Sequence, residues 1–355
     1  MDIRDYNEQT FADAEIIVKT RFGEHACLLL RHLLDNPLRL LCSSAGDIAY
    51  RDGNPMVFQA AILKRLFLRQ DEVLGVSGAM FCKMPKAPLR CVLAVSERTY
   101  VPRAGSQMTF GNTAMPVSVG IAMASDSVAG PDSCANVRFR IMRLGGFLNF
   151  ALHGKLPGFL VRLIDWFWVL GAKVFSRRNE ASSVRRVMSF DEVDIDGFWK
   201  RYLAKNRGLV CSRTKEELNW IFGEGIKNGN THLLVLGKEG EVCGYVAIKR
   251  RTHGQASRWM IADWIAEGDD REMLGELLAG AIMHLRSIPD AAFVEMIGYP
   301  MFVQDVIGKH LPCRRKAKGN SFSYRIETDK LRQDFEKVKD VSWFFGPYDG
   351  DRCMA

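Results

Sequence analysis

The sequence predicts an α/β (α+β) protein built from two tandem units, each a mixed, mostly antiparallel twisted sheet flanked by helices. In Glu241–Arg286, two strand-like runs at 241–250 and 258–266 lead directly into a helix, whose apolar residues recur at three- and four-residue steps. The same order of strands and helices can be read in the first 144 residues. The length of 355 residues also suits two domains of about 150 to 180 residues each. We therefore predict a first unit at 1–144, a linker with an amphipathic helix at 145–184, a second unit at 185–328 and a tail at 329–355.

The elements of the second half follow from a change of hydrophobic period. The helix begins near Asp270, with Asp269 and Asp270 expected as N-caps, and presents Met273, Leu274, Leu277 and Leu278 on one face. After it, the sequence predicts a short apolar strand at Ala292–Ile297, a helix at Pro300–His310 and a closing strand at Phe322–Ile326.

The first half shows the same succession, although the residues themselves do not repeat. Asp52-Gly53 between two strand-like runs is a hairpin signal, and Asn36-Pro37 ends the first helical stretch. The predicted elements are a helix at Phe11–Leu34, strands at Gly46–Tyr50, Met56–Leu68 and Glu72–Phe81, a helix at Pro88–Arg103, a strand at Gln107–Phe110, a helix at Met115–Ser125 and a closing strand at Val137–Ile141.

Composition limits the function classes. Hydrophobic residues make up 47% and charged residues 25%, which is typical of a globular protein. The nine cysteines show no Cys-x-x-Cys spacing, so we expect free thiols in a reducing cytoplasm and no metal site. The acidic, polar start Met1–Glu8 is not a signal peptide, so a cytoplasmic location is expected. A net charge of +8 is compatible with an anionic partner such as a phosphorylated cofactor, RNA or a lipid head group, and solvated basic faces that serve solubility are the favoured alternative.

One stretch invites a membrane interpretation. Leu156–Phe175 contains Trp166, Phe167 and Trp168, but Arg162 and Asp165 interrupt it. A span needs roughly 20 mostly apolar residues in succession, so no transmembrane segment is predicted. We expect a packed linking helix, and peripheral contact with a membrane is the alternative.

From the order of strands and helices, the segment Arg185–Glu327 resembles the GNAT acyl-CoA N-acyltransferases. The family's phosphate-loop motif is not matched, because Asp269-Asp270-Arg271 stands where the pyrophosphate should approach. The tandem arrangement is similar to that of peptidoglycan-bridge aminoacyltransferases and myristoyltransferases. It also resembles the double-GNAT proteins of bacterial exopolysaccharide gene sets, through the tail segment 342–351.

The resemblance implies acyl-CoA as the donor, acetyl-CoA first of all, bound without a metal. In this family the fourth strand bonds the pantetheine arm, and Gly75, Val76, Ser77 and Gly78 occupy that position. Asn112 matches by position an asparagine that bonds the cofactor in many members, and an ordinary helix cap is the equal alternative. The turns before Pro88 and Arg271 are the candidate phosphate sites, since helix N-termini bind anions. Arg271 reads either as a phosphate ligand or as a solvated arginine.

Three residues are candidates for proton transfer. Asp263 and Glu295 are carboxylates inside apolar strands, where a raised pKa would suit a general base, and neighbouring strands would allow them to share a cleft. Alternation along a half-exposed strand explains both without function. The resemblance suggests Tyr299 as the general acid that protonates the leaving thiolate, and a packed aromatic side chain at a helix start is its alternative.

These observations predict an N-acyltransferase that moves an acyl group, with acetyl expected, from acyl-CoA to an unidentified amine by direct attack. DNA is not an expected partner, and the oligomeric state is left open. The alternatives are an aminoacyl-tRNA-dependent transferase, which alone would bind tRNA, and a catalytically silent GNAT-like binding protein.

Overall fold

The computed structural model describes residues 1–42, 44–99, 105–113, 128–129, 136–175, 183–238, 241–253, 256–316, 321–343 and 348. Within these ranges the chain forms both strands and helices. The strands are β1 (Asp2–Asp5), β2 (Gly46–Arg51), β3 (Asn54–Leu68), β4 (Asp71–Lys83), β5 (Met108–Thr113), β6 (Val128–Ala129), β7 (Asn136–Ile141), β8 (Val184–Val187), β9 (Leu209–Cys211), β10 (Thr231–Lys238), β11 (Glu241–His253), β12 (Ala256–Ala266), β13 (Ala291–Ile297), β14 (Cys313–Lys316) and β15 (Ser321–Ile326).

The helices lie between the strands in chain order. They are α1 (Phe11–Phe22), α2 (Cys27–Leu34), α3 (Leu89–Thr99), α4 (Leu144–Ala151), α5 (Gly158–Phe175), α6 (Ile195–Lys205), α7 (Lys215–Lys227), α8 (Arg271–Arg286), α9 (Gln304–His310) and α10 (Asp329–Glu336). The predicted single helix at 11–34 is broken, because Gly23 has φ +86 and a short 3-10 turn follows it. Asp270 caps α8, as the sequence predicts. The predicted helix at 115–125 lies outside the described residues.

The chain divides into two compact units, and each is assembled from separated segments. The first contains Met1–Ala135, Asn206–Ile221 and Ala317–Ala355, and the second contains Asn136–Lys205 and Phe222–Lys316. The predicted boundaries divide the chain into the consecutive segments 1–144, 145–184, 185–328 and 329–355, and they stay a prediction. Each observed unit instead combines separated segments of the chain.

Each unit contains one mixed sheet. The first sheet has the order β1-β2-β3-β4-β5-β15-β6, with β9 also paired to β3, and the second has the order β14-β7-β13-β12-β11-β10-β8. Among the described strands, β4 runs parallel to β5 and β12 runs parallel to β13, and the other pairs are antiparallel. The predicted fold class, two mixed sheets flanked by helices, is confirmed.

The two closing strands are exchanged. The sequence predicts 137–141 as the last strand of the first unit, but β7 pairs with β13 and β14 of the second sheet. Likewise 322–326 is predicted to close the second unit, but β15 pairs with β5 and β6 of the first sheet. The alternation of polar and apolar residues in these short strands indicates which side faces the core but not which strand is the partner, so the sequence predicts both strands beside their neighbours in the chain.

In the first unit, buried side chains pack on the sheet against α1 and α2. This core includes Ile17, Leu30, Phe58 and Ile62. A second cluster joins Val57 to Cys91 and Val95 of α3. In the second unit, α8 buries Leu274, Leu277, Leu278, Ala281 and Leu285. Every helix in the described part of the chain is too short or too polar to cross a lipid bilayer.

Candidate functional site

The parallel strands β4 and β5 of the first unit separate partway along their length. Gly75, Val76, Ser77 and Gly78 pair with residues 108–111 of β5, and the described register ends there. β4 continues to Lys83 along β3, but its register shifts opposite Gln59, and Met80 lies at φ +44. A positive φ in a non-glycine residue marks a β-bulge here, which turns the end of the strand away. Among the described residues the pairing of β4 with β5 therefore ends directly after Gly78, and we call this end of the pairing the opening.

The predicted cofactor residues of β4 lie at the closed end of this opening. The backbone of Gly75–Gly78 faces β3 on one side and β5 on the other, so the sheet occupies its hydrogen-bonding groups. The part of β4 that extends beyond its pairing with β5 is Ala79–Lys83. Ser77 is fully buried, and its hydroxyl has no hydrogen-bond partner among the described residues. Buried hydroxyl groups are normally paired, so Ser77 marks a polar position in an otherwise packed strand.

Gly75 and Asn112 have separate structural settings. A Cβ on Gly75 would overlap the Leu66 side chain and lie 3.2 Å from Cε1 of Phe110, so this glycine serves close packing. Asn112 belongs to β5 and pairs with Phe322 of β15. The side chain of Asn112 lies outside the described part of the structure, and its role in cofactor binding stays a prediction.

The turn after β4 is basic and leads into α3. Lys83, Lys86 and Arg90 are all exposed. Within the described ranges, none of the three forms an ion pair. The amides of Cys91 and Val92 bond back to the carbonyl of Pro88, which leaves the amides of Leu89 and Arg90 without a protein acceptor in the described chain. A helix start with unpaired amides and surrounding positive charge is suited to bind an anion.

The equivalent turn of the second unit is acidic, and its amides are occupied. The side chain of Asp270 accepts hydrogen bonds from the amides of Glu272 at 2.9 Å and Met273 at 3.0 Å. Hydrogen bonding from Lys205 and then Arg201 lowers the pKa of Glu267, which keeps its negative charge at the same turn. An incoming phosphate would meet carboxylates where it needs free N–H groups.

Arg271, the predicted phosphate ligand of this turn, forms an ion pair with Asp305. Both side chains are exposed, so the pair can open at little cost. The interaction of Arg271 with a phosphate stays a prediction.

Tyr299 packs against β12 at the point where the pairing of β12 with β13 ends. β12 and β13 pair from Ser257 to Met260, so Ile261 is the first residue of β12 beyond the pairing. The hydroxyl of Tyr299 donates to the carbonyl of Ile261 at 3.2 Å, and its ring packs edge-on against Trp264 with centroids 5.8 Å apart. Tyr299 is 1% exposed and has φ +73, so its backbone is held in a conformation that a tyrosine rarely adopts. This side chain fills the position where the corresponding opening begins in the first sheet.

The two predicted catalytic carboxylates have different partners. Asp263 is 1% exposed and accepts a hydrogen bond from the hydroxyl of Tyr245 on the adjacent strand. Glu295 is fully buried between two guanidinium groups, with 2.9 Å to Nε of Arg258 and 3.0 Å to Arg315. The contacts described for each carboxylate do not bring the two together. Glu295 has the surroundings of a structural ion pair, and proton transfer by either carboxylate stays a prediction.

Sequence reasoning missed a buried cationic cluster in the first unit. Lys64 on β3 is 5% exposed, and its ammonium group donates to the carbonyl of Tyr348 at 3.1 Å. The guanidinium of Arg213 lies 4.4 Å from the centre of the Tyr348 ring, and the Tyr348 hydroxyl donates to the carbonyl of Ser212 at 2.6 Å. The signal available in the sequence was Lys64 itself, a charged residue within an apolar strand. Arg213 is itself 1% exposed.

Solved structures that superpose on this chain identify its fold. A probable N-acyltransferase from Enterococcus faecalis superposes with a TM-score of 0.58 at 11% identity, over 92% of this chain and 72% of its own. N-Myristoyltransferase from Saccharomyces cerevisiae, solved with bound myristoyl-CoA, gives 0.55 at 12% identity, over 91% and 81%. A GCN5-related N-acetyltransferase from Anabaena variabilis gives 0.55 at 10% identity, over 92% and 73%. Protein-family models and curated proteins give no match to the sequence. At these identities the comparisons show a common fold, that of the GNAT-related N-acyltransferases.

Proposed function

We propose that this protein is an acyl-CoA-dependent N-acyltransferase that binds its donor in the first unit, at the opening between β4 and β5. The observation that carries the proposal is the contrast between the two openings. The first is followed by a basic turn with free helix amides, and the second is filled by Tyr299 and followed by an acidic, capped turn. The roughly four charged oxygens of a pyrophosphate need hydrogen-bond donors and positive charge. Of the two turns compared, the turn before α3 offers both.

The chemistry follows from the edge of β4 beyond Gly78, which has no strand partner on the β5 side among the described residues. We place the pantetheine arm along Ala79–Lys83, since an amide chain can bond to a strand edge as a further strand would. The thioester carbonyl would then be polarised by a backbone N–H near Gly78, and the amine would attack it directly. The C–N bond forms as the C–S bond breaks, and CoA leaves as the thiol after taking up the proton that the amine loses. Gly75, Val76, Ser77 and Gly78 form the floor of this site, and Asn112 is proposed as a side-chain contact to the donor. Acetyl is the acyl group that we propose to test first.

The proposal is tested by calorimetric titration of the full chain with CoA and acetyl-CoA. Lys86→Glu reverses a charge at the first turn, and Arg271→Glu is the matched control at the second. A hydrogen bond to a charged group contributes about 1.5 to 3 kcal/mol, so Lys86→Glu should weaken binding roughly tenfold to a hundredfold. Arg271→Glu should leave binding unchanged. If the Arg271 variant loses affinity and the Lys86 variant does not, the donor site is in the second unit and Asp263, Glu295 and Tyr299 become its candidate catalytic residues.

A steric variant tests the position within the strand. Gly78 is partly exposed at the point where β4 and β5 separate. Gly78→Val should abolish CoA binding while the thermal unfolding midpoint stays close to that of the parent chain. Retained affinity in a folded Gly78→Val protein would contradict the assignment. If the parent chain binds neither CoA nor acetyl-CoA, titration with tRNA at two salt concentrations separates the aminoacyl-tRNA alternative from a silent binding protein.

A further inference from the structure

The helical hairpin α4–α5 of the second unit carries an exposed apolar surface. The side chains that form it belong to α5, and we call them the α5 stripe: Phe159 (70% exposed), Leu163 (49%), Trp166 (57%), Phe167 (61%) and Leu170 (42%). Large apolar side chains are commonly exposed one at a time, but a contiguous group on one helix marks an interaction surface.

The inward face of α5 is fixed by its contacts with α4. Asp165 accepts a hydrogen bond from the amide of Gly145 at 2.6 Å, and the indole N–H of Trp168 donates to the carbonyl of Met142 at 3.1 Å. Gly145 lies so close to the backbone of Val161 that a Cβ there would overlap the Val161 carbonyl oxygen. With about 100° of rotation per residue, positions 161, 165 and 168 therefore share the side that packs on α4.

The α5 stripe lies on the opposite side of the same helix. Its five positions fall within an arc of about 100°, which is the width of a continuous apolar face. The contacts with α4 fix the orientation of α5 about its own axis. The aromatic side chains of the α5 stripe therefore point away from α4.

The charges around the stripe are almost all positive. From 143 to 175, the end of α5, the sequence contains the basic residues Arg143, Lys155, Arg162 and Lys173, against the single acidic residue Asp165. The carboxylate of Asp165 is used inside the hairpin, where it bonds the amides of Gly145 and Gly146. Arg162 is exposed one turn from Phe159 and Trp166. A partner for this surface must therefore combine an apolar layer with negative charge at its edge.

We propose that α5 docks on an anionic lipid bilayer, lying in the plane of the head groups with the α5 stripe inserted. Tryptophan and phenylalanine on one face and basic residues beside them are what an interfacial helix requires, because the rings enter the acyl boundary while the cations meet anionic head groups. The surface is a single outward-facing helix rather than a groove, which suits a deformable lipid layer. A second copy of the chain would bring the same positive charges against themselves, which disfavours a dimer at this face.

The test is cosedimentation of the full chain with vesicles of phosphatidylcholine alone and of phosphatidylcholine mixed with phosphatidylglycerol. We expect binding to the mixed vesicles that weakens as salt rises, and little binding to phosphatidylcholine alone. The double variant Phe159→Glu/Phe167→Glu should weaken binding by about tenfold or more, since each aromatic side chain contributes its buried area to insertion. Leu40→Glu places a glutamate on a still more exposed apolar residue of the first unit (99%), and it should bind as the parent does.

Three results would overturn the proposal. They are a parent chain that does not bind the mixed vesicles at low salt, a double variant that binds as the parent does, and a Leu40→Glu variant that binds as weakly as the double variant. Light scattering after size exclusion provides the other arm. If the parent is a dimer that ignores vesicles and the double variant is a monomer, the α5 stripe is an interface between copies. Because the substituted side chains point outward, the double variant is expected to keep the parent's circular dichroism spectrum. The readout needs no acyl donor, so it is independent of the proposed activity.

Discussion

Replacing Glu295 by Gln tests whether this residue is structural or catalytic. The fully buried carboxylate lies between Arg258 and Arg315, and glutamine keeps its shape while removing its charge. Breaking a buried ion pair from one side costs about 3 to 5 kcal/mol. The two arginine side chains keep 23% and 48% of their surface in water, so they recover part of their hydration. We therefore expect the free energy of unfolding to fall by about 2 to 3 kcal/mol.

The assay is urea unfolding followed by tryptophan fluorescence and by circular dichroism. Glu241→Gln is the matched control, because Glu241 pairs with Arg201 at 3.5 Å and its side chain is 67% exposed. An exposed pair contributes well under about 1 kcal/mol, so this variant should unfold almost as the parent does. Adding Arg315→Gln to Glu295→Gln should cost less than the two single effects summed, since the two residues share one interaction.

The reasoning fails if Glu295→Gln is as stable as Glu241→Gln. It also fails if the folded Glu295→Gln protein loses acyl transfer by about a hundredfold or more, since that is the loss expected when a general base is removed. A structural carboxylate should leave the rate of the folded fraction within a factor of a few.

Three further predictions concern other features of the second unit. Tyr299→Phe should lower stability by about 1 kcal/mol, through loss of the bond to Ile261, and leave acyl transfer unchanged, whereas a general acid would show a fall in rate of about a hundredfold. Burial lowers the pKa of His232 from 6.5 to about 4, so the folded chain holds this ring neutral while the unfolded chain takes up a proton. Stability is then present above pH 6.5 and lost as the pH falls towards 4, by about 2 to 3 kcal/mol relative to His232→Gln in urea titrations. Gly145→Ala should separate α4 from α5 and lower the melting temperature by several degrees, because its Cβ would overlap the backbone of Val161; an unchanged melting temperature would contradict the close packing.

Local patterns predicted the elements of the fold well. The alternation in 241–250 and 258–266 indicated two strands, which the structure extends to 241–253 and 256–266. Asp270 was identified as a helix cap because a short acceptor side chain before an apolar 3.6-residue period is a local signal. The strand predicted at 72–81 is likewise present, and the structure extends it to 71–83.

The exchanged strands and the filled second opening depend on distant contacts. Nothing in Val137–Ile141 distinguishes β13 from β5 as a neighbour, since both would accept a short apolar strand. Tyr299 resembled a general acid because its position after a strand was right for one. Only its hydroxyl bond to Ile261 and its burial show that the side chain fills the gap. The sequence leaves the roles of Asp263 and Glu295 open for the same reason. A carboxylate in an apolar strand is structural or catalytic depending on the side chains that it contacts, and the sequence of the strand does not show them.

The exchange of β7 and β15 has a consequence for how the chain is made. The ribosome synthesises the chain from its amino terminus. The partner of β5, β15, is therefore made after every strand of the second sheet. Until then β5 presents a bare strand edge to its surroundings, which is a hazard for a nascent chain. The second sheet already contains β7 by that stage, so it can close first. The later half of the protein is thus expected to fold before the earlier half is complete, the reverse of the usual order of synthesis.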